Sequence, residues 1–138
     1  MPSLSPGDGQ DLLESFKRGW EKRDPELILA LFDTDAEYRE NPFSNPLAGS
    51  NAIRELWNDI CASQAHVEFD AERTWVSGST VLSSWHAAYT LRANGERHRV
   101  RGFMTLELND ARLVHRFRQW PIERVVGTDS TLEAEGEG

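Results

Sequence analysis

Residues 80–108, TVLSSWHAAYTLRANGERHRVRGFMTLEL, contain two runs of alternating apolar and polar residues joined by Asn94-Gly95. A period of two is typical of a β-strand with one buried face, and Asn-Gly is a preferred pair for a tight hairpin turn. Similar runs occupy 66–76 and 111–120, and short turn-forming segments separate them. The sequence therefore predicts four long, consecutive antiparallel strands.

The residues before these strands follow a helical period. Apolar residues recur at helical spacing from Gln10, a second short helix begins at Asp24-Pro25, and a third begins at Gly49-Ser50. A short strand ends at Pro42 between the second and third helices. This order predicts an α+β fold, with three N-terminal helices packed on a curved, mainly antiparallel sheet.

Both ends of the chain lack a periodic apolar pattern. We expect residues 1–9, rich in Pro, Ser and Gly, to form a flexible arm, and residues 10–122 to form the single domain. Residues 123–138 are mostly acidic, small or polar, and we expect an acidic disordered tail there.

The bulk composition limits the classes of function. A net charge of −8 over 138 residues disfavours a nucleic-acid partner, because phosphates attract basic surfaces. Cys61 is the single cysteine, so an internal disulfide is impossible. We find no apolar run long enough to cross a membrane and no signal peptide at the start. We therefore expect a cytoplasmic protein with no membrane partner.

Several local strings carry a family resemblance. They are RDPELILALFDTDAEY at 23–38, NPFSNPLAGSNAIRELW at 41–57, the Asn94-Gly95 hairpin, and a last strand that ends in RQW. In this order they resemble the nuclear transport factor 2-like superfamily, specifically its SnoaL-like bacterial members, over residues 10–121. The resemblance implies a cone with an apolar pocket on its concave face. It also implies a homodimer that forms through the convex sheet face.

The resemblance also implies where ketosteroid isomerase-like chemistry would place its groups. The carboxylate base aligns with Glu40 or Asn41, depending on whether strand alternation or the proline is the anchor. The tyrosine aligns with Phe16, and the second acid aligns near Gly102 or Met104. At most one of the three groups is present, so this route of isomerisation is disfavoured.

Limonene epoxide hydrolase-like chemistry is tested in the same way. Its tyrosine aligns with Tyr38, and its amide position aligns with Glu40. The three charged positions of that enzyme type align with Trp85, Ala87 and Arg118. Two charges are lost and the third is reversed, so the sequence does not support that mechanism.

Alternation assigns side chains to the two sheet faces. The apolar parity should face inward on the two central strands: Val100, Gly102, Met104 and Leu106 on one, and Trp85, Ala87, Tyr89 and Leu91 on the other.

On the last strand, the family match places Arg116, Arg118 and Trp120 inward, and His115, Phe117 and Gln119 outward. A buried arginine needs a carboxylate. Glu40 lies two residues from Tyr38 on its strand, so an inward Tyr38 places Glu40 inward as well. We therefore expect Arg118 to pair with Glu40 across the cone.

These assignments define a candidate site. The candidate catalytic residues are Tyr38, Glu40 and Arg118. The candidate substrate-binding residues are Asn41, Trp57, Trp85, Tyr89, Met104 and Trp120. Because no two histidines have the spacing of metal ligands, we expect no metal, and we expect no cofactor.

Two functions fit this site. The first is a cofactor-free isomerase, cyclase or hydrolase that acts on a small apolar molecule by general acid–base chemistry. The second is a non-catalytic ligand-binding or dimerisation module. A cavity of a few hundred cubic ångströms that reaches Glu40 favours the first function. A filled cone with Glu40 paired to Arg118 favours the second.

Overall fold

The computed structural model describes residues 4–129, which form three helices and six strands. Their bounds are α1 Pro6–Glu21, α2 Pro25–Leu29, β1 Phe32–Arg39, β2 Leu47–Ala48, α3 Ser50–Ser63, β3 Gln64–Ser77, β4 Thr80–Leu91, β5 Glu96–Leu108 and β6 Val114–Thr128. The predicted α+β class and the four long strands are confirmed. The third helix follows the two short strands β1 and β2.

The six strands form one curved, open sheet in the order β2-β1-β6-β5-β4-β3. Strands β3 to β6 pair antiparallel with their sequence neighbours, whereas β1 lies parallel to β6. This parallel pairing places Tyr38 opposite Phe117 and Arg39 opposite Arg118. The end of β1 therefore lies beside the middle of the last strand, which is the region that the candidate site requires.

The first helix begins earlier than we expected. Ser5 caps it in a reciprocal arrangement with Asp8, and Pro6 occupies the first helical turn. Leu4 is buried, and its backbone N–H donates to the carbonyl of Gly78 over 3.3 Å. Residues 6–9 of the predicted arm are therefore helical, because the cap and this anchor fix them. Residues 1–3 lie outside the described part of the chain.

The last strand also continues beyond the predicted domain end. Glu123 lies opposite Val100, and Thr128 lies opposite Glu96, so backbone pairing with β5 orders residues 123–128 without an apolar pattern. The prediction of disorder is wrong for these residues. The rest of the predicted tail, 130–138, lies outside the described residues.

The core lies between the helices and the inner face of the sheet. Its largest fully buried side chains are Trp57, Trp85, Phe16, Phe69 and Phe117. The predicted inward faces of β4 and β5 are confirmed, since Trp85, Val100 and Met104 are buried and the Arg101 side chain is exposed. Within residues 4–129, no helix is long and apolar enough to cross a membrane.

The faces that the family match predicted for β6 are wrong, and a β-bulge sets the observed ones. The pairing with β5 changes from Arg116 opposite Glu107 to Val114 opposite Leu108, which leaves His115 as an extra residue. Val114 and Phe117 are therefore both fully buried, although they lie three residues apart. After the bulge, Phe117 faces the core and the arginines on either side of it face outward.

Candidate functional site

A cavity of about 260 Å³ lies between α1, α3 and the inner face of the sheet. Its lining combines six aromatic residues with five polar and three aliphatic or proline residues: Phe16, Trp20, Tyr38, Trp57, Trp85 and Tyr89; Glu40, Asn41, Gln64, Gln119 and Glu123; Ile60, Val100 and Pro121. An apolar cavity of about 150 Å³ already binds benzene. This cavity therefore has room for a small organic molecule.

Mutual ring contacts hold the aromatic wall in place. The Trp57 ring meets Phe16 edge to face at 5.7 Å between centroids, and it meets Trp20 in the same way at 5.8 Å. On the sheet, Trp85 lies against Gly102, where an added Cβ would be only 2.8 Å from Trp85 Cζ2. The absence of a side chain at Gly102 lets the indole lie close to β5. The cavity walls are therefore large rings with little freedom to move.

Tyr38 lies at the base of the cavity as a protonated phenol. Its ring stacks on Phe117 at 4.4 Å, and only 2 % of the residue is exposed. Burial raises the pKa of the Tyr38 hydroxyl far above its usual value; the nearby Trp57 indole opposes this shift and the Glu40 carboxylate adds to it. The hydroxyl therefore keeps its proton at neutral pH and can donate a hydrogen bond. Trp57 Nε1 is buried near this hydroxyl, and none of its contacts within residues 4–129 has the geometry of a normal hydrogen bond.

Glu40 follows the last residue of β1 and lines the same cavity. It is half-buried, and its side chain makes no hydrogen bond or ion pair within the described part of the chain. Its neighbour Asn41 has a structural role at the cavity rim, because its Oδ1 accepts hydrogen bonds from the backbone N–H groups of Phe43 and Ser44 at 2.9 and 3.0 Å. This turn holds the chain where Glu40 enters the cavity.

The predicted Arg118–Glu40 pair is wrong. Arg118 lies on the outer sheet face, where its Nη2 is 3.4 Å from Glu107 Oε2 and its side chain is 42 % exposed. Arg116 shares the same carboxylate at 3.8 Å. The bulge at His115 explains the error, because it turns both arginines away from the helices.

Six of the nine predicted site residues lie on the cavity wall: Tyr38, Glu40, Asn41, Trp57, Trp85 and Tyr89. Arg118 and Trp120 do not, because the bulge places them on the outer face, where Trp120 is 40 % exposed. Met104 faces inward as predicted, but it is fully buried in the core and is not part of the lining.

The structure adds Gln119 and Glu123, two β6 residues that the sequence did not assign to the site. Glu123 Oε1 lies 3.2 Å from His98 Nδ1, and His98 Nε2 lies 3.3 Å from Glu96 Oε1. The His98 ring stacks on Tyr89 at 5.3 Å, with 6° between the ring planes. Burial raises the pKa of the Glu123 carboxyl above its usual value. Gln119, Pro121 and Glu123 alternate along β6 and therefore share one face. The sequence shows that they share a face, but only the bulge shows that this face is the inner one.

Several solved structures share this fold. An LEH-like epoxide hydrolase from M. tuberculosis has a TM-score of 0.71 at 16 % identity, with 85 % of this chain and 84 % of that chain covered. SalBIII, an epoxide hydrolase/cyclase-like enzyme in pyran ring formation in the polyether salinomycin, has a TM-score of 0.76 at 15 % identity, with 86 % and 95 % covered. A computationally designed 17-OHP binder has a TM-score of 0.75 at 20 % identity, with 86 % and 98 % covered. At these identities the likeness shows the fold alone.

The sequence comparison covers most of the domain. No curated protein matches the chain at a significant level. The profile of the SnoaL-like domain matches residues 13–116, from the first helix to the bulge of the last strand. This range exceeds half of the chain and contains most of the cavity wall. The protein therefore belongs to the family of SnoaL-like domains.

Proposed function

We propose that this protein is a cofactor-free enzyme that acts on a small, largely apolar molecule by general acid–base chemistry at Glu40. The observation that carries this proposal is the setting of Glu40: a carboxylate on the cavity wall, without an ion pair among residues 4–129, beside a tyrosine that keeps its proton. A carboxylate that is not held by a cation is available to accept a proton from a bound molecule.

The roles of the neighbouring groups follow from their chemistry. A Glu40 oxygen takes a proton from a carbon next to a carbonyl group, the electrons of that C–H bond form a C=C bond, and the carbonyl oxygen gains the negative charge. The Tyr38 hydroxyl donates a hydrogen bond to that oxygen, and the Trp57 indole N–H is a second donor at the same wall. Return of the proton to a different carbon completes an isomerisation. Ring closure follows when the new carbanion attacks a second carbonyl carbon of the same molecule: the C–C bond forms, the π electrons of that C=O bond move to its oxygen, and the oxygen takes the proton back from Glu40.

Native mass spectrometry of the purified protein tests whether the cavity holds a small molecule. We expect a bound species that fits about 260 Å³ and that is released on unfolding. Incubation of that molecule with fresh protein should convert it to an isomer of equal mass, linear or cyclised, measured by liquid chromatography and mass spectrometry. Binding without conversion would contradict the enzyme and leave the alternative, a non-catalytic binding module.

We also propose that the protein forms a homodimer through the outer sheet face. Trp75, Phe103 and Trp120 form a row across that face, with centroid distances of 6.2 and 6.4 Å, and both tryptophans are about two-fifths exposed. Exposed aromatic rows of this kind often mark a protein interface. The native spectrum should show a mass of about 31 kDa, twice the 15.7 kDa of one chain. Trp120→Asp should shift it to the monomer mass, and a monomeric parent protein would refute the dimer.

A further inference from the structure

We infer that the ligand of this cavity carries a positive charge on a small amine or quaternary ammonium group. Carboxylates and aromatic rings of the cavity wall bind that group. The inference rests on the proposed function in one respect: the same cavity is the ligand site. It goes further by naming the charge of the ligand, which the proton-transfer step leaves open.

The charges on the cavity wall have one sign. Glu40 and Glu123 are on the lining, and no lysine, arginine or histidine is among the described residues that line it. The arginines of β6 that could have balanced them, Arg116 and Arg118, interact with Glu107 on the outer face. A cavity with this lining disfavours an anion and favours a cation, because Coulomb interactions are stronger where water is scarce.

Among residues 4–129, His98 is the one basic side chain that contacts a carboxylate of the lining, at 3.2 Å from Glu123. His98 does not reverse the negative sign of the charge at the cavity wall. The imidazole also lies 3.3 Å from Glu96, so a protonated His98 between two ionised carboxylates still leaves that trio with a net negative charge. With a neutral imidazole, the trio is more negative.

The two carboxylates lie at different levels of the cavity. Arg39 is opposite Arg118 in the parallel pairing, so Glu40 lies beside Gln119. Glu123 lies four residues further along β6. At about 3.3 Å per residue, this separation is about 13 Å along the strand. One carboxylate can therefore hold a charged nitrogen while the other exchanges a proton with a different part of the same molecule.

Aromatic side chains supply the second element of cation recognition. Trp20, Trp57, Trp85 and Tyr89 all border the cavity. Indole and phenol faces attract ammonium groups, most strongly where the site is shielded from water, and methylated ammonium groups also bury their apolar surface against the rings. Carboxylates combined with several aromatic rings are therefore suited to a lipophilic cation.

Three probes of equal shape and different charge test this inference: choline, its neutral isostere 3,3-dimethylbutan-1-ol, and the anion 3,3-dimethylbutanoate. Three tryptophans line the cavity, so intrinsic fluorescence reports binding, and isothermal titration calorimetry gives an independent Kd. We expect choline to bind about tenfold more tightly than the alcohol, and the anion to bind more weakly than both.

Matched variants identify the source of the preference. Glu123→Gln should reduce the preference for choline over the alcohol to about threefold or less, without weakening the binding of the alcohol. Glu55→Gln removes the same charge from an exposed position on α3 and should change neither Kd. A preference that survives in a folded Glu123→Gln protein would contradict the role of this carboxylate.

The outcomes separate this inference from the proposed enzyme. Equal binding of choline and the alcohol, tighter binding of the anion, or no binding of any probe would overturn the cation inference, whatever turnover the protein shows. A clear preference for choline in a protein that converts no bound molecule would uphold the inference and refute the proposed enzyme.

Discussion

Glu40→Gln should lower turnover of the bound molecule by about 100- to 10,000-fold, the range expected when a general base is lost. Glutamine preserves the size of the side chain and its place at the end of β1, but it cannot take up a proton at neutral pH. Because Glu40 has no ion pair or hydrogen bond within residues 4–129, its replacement leaves no partner unsatisfied. The protein should therefore remain folded, and the loss should appear in kcat.

Two further variants make this result specific. Tyr38→Phe retains the ring that stacks on Phe117 and removes only the hydroxyl, so it should lower kcat by about 100-fold, as expected for one lost hydrogen-bond donor. Glu55→Gln, on the exposed side of α3, should leave kcat unchanged. Circular dichroism shows whether each variant is folded. A folded Glu40→Gln protein with the parent rate would exclude Glu40 as the base.

Phe117→Ala should reduce the free energy of unfolding by about 3–5 kcal/mol, the usual cost of removing a large ring from a packed core. Phe117 is fully buried and stacks against both Tyr38 and Phe16, at 4.4 and 6.0 Å between centroids. The cavity left by alanine would border the ligand site. We therefore expect weaker ligand binding together with the lower stability.

Arg118→Ala is the matched control on the adjacent residue. Arg118 is part of a half-exposed ion pair with Glu107, and such pairs contribute about 0–1 kcal/mol. Urea unfolding at one protein concentration measures both variants, since dimer formation would make stability depend on concentration. If Arg118→Ala were the more costly change, the bulge at His115 and the assignment of faces on β6 would be wrong.

The sequence predicted the features that depend on local periodicity. Alternation over residues 80–108 and the Asn94-Gly95 turn predicted β4, β5 and the hairpin between them, and the buried faces of both strands are correct. A single strand parity also placed Tyr38 and Glu40 on the cavity side. These features are readable because successive residues of a regular strand must point to opposite faces.

The ends of the domain were harder to predict from the sequence. The capping box at Ser5 and Asp8 has a sequence signature, but the anchoring of Leu4 to Gly78 depends on the β3–β4 turn, which is distant in sequence. Strand pairing likewise ordered residues 123–128, whose composition alone suggested a tail. In both cases, contacts made only in the folded state decided whether the segment is ordered.

By itself, then, the sequence determined the α+β fold, the inner faces of β4 and β5, and the position of Glu40. Only the tertiary structure decided that Glu40 is not paired with Arg118 and that Glu123 borders the same cavity. The reason is the extra residue at His115. A bulge depends on the register in which β6 pairs with β5, and one inserted residue exchanges the two faces of all that follows.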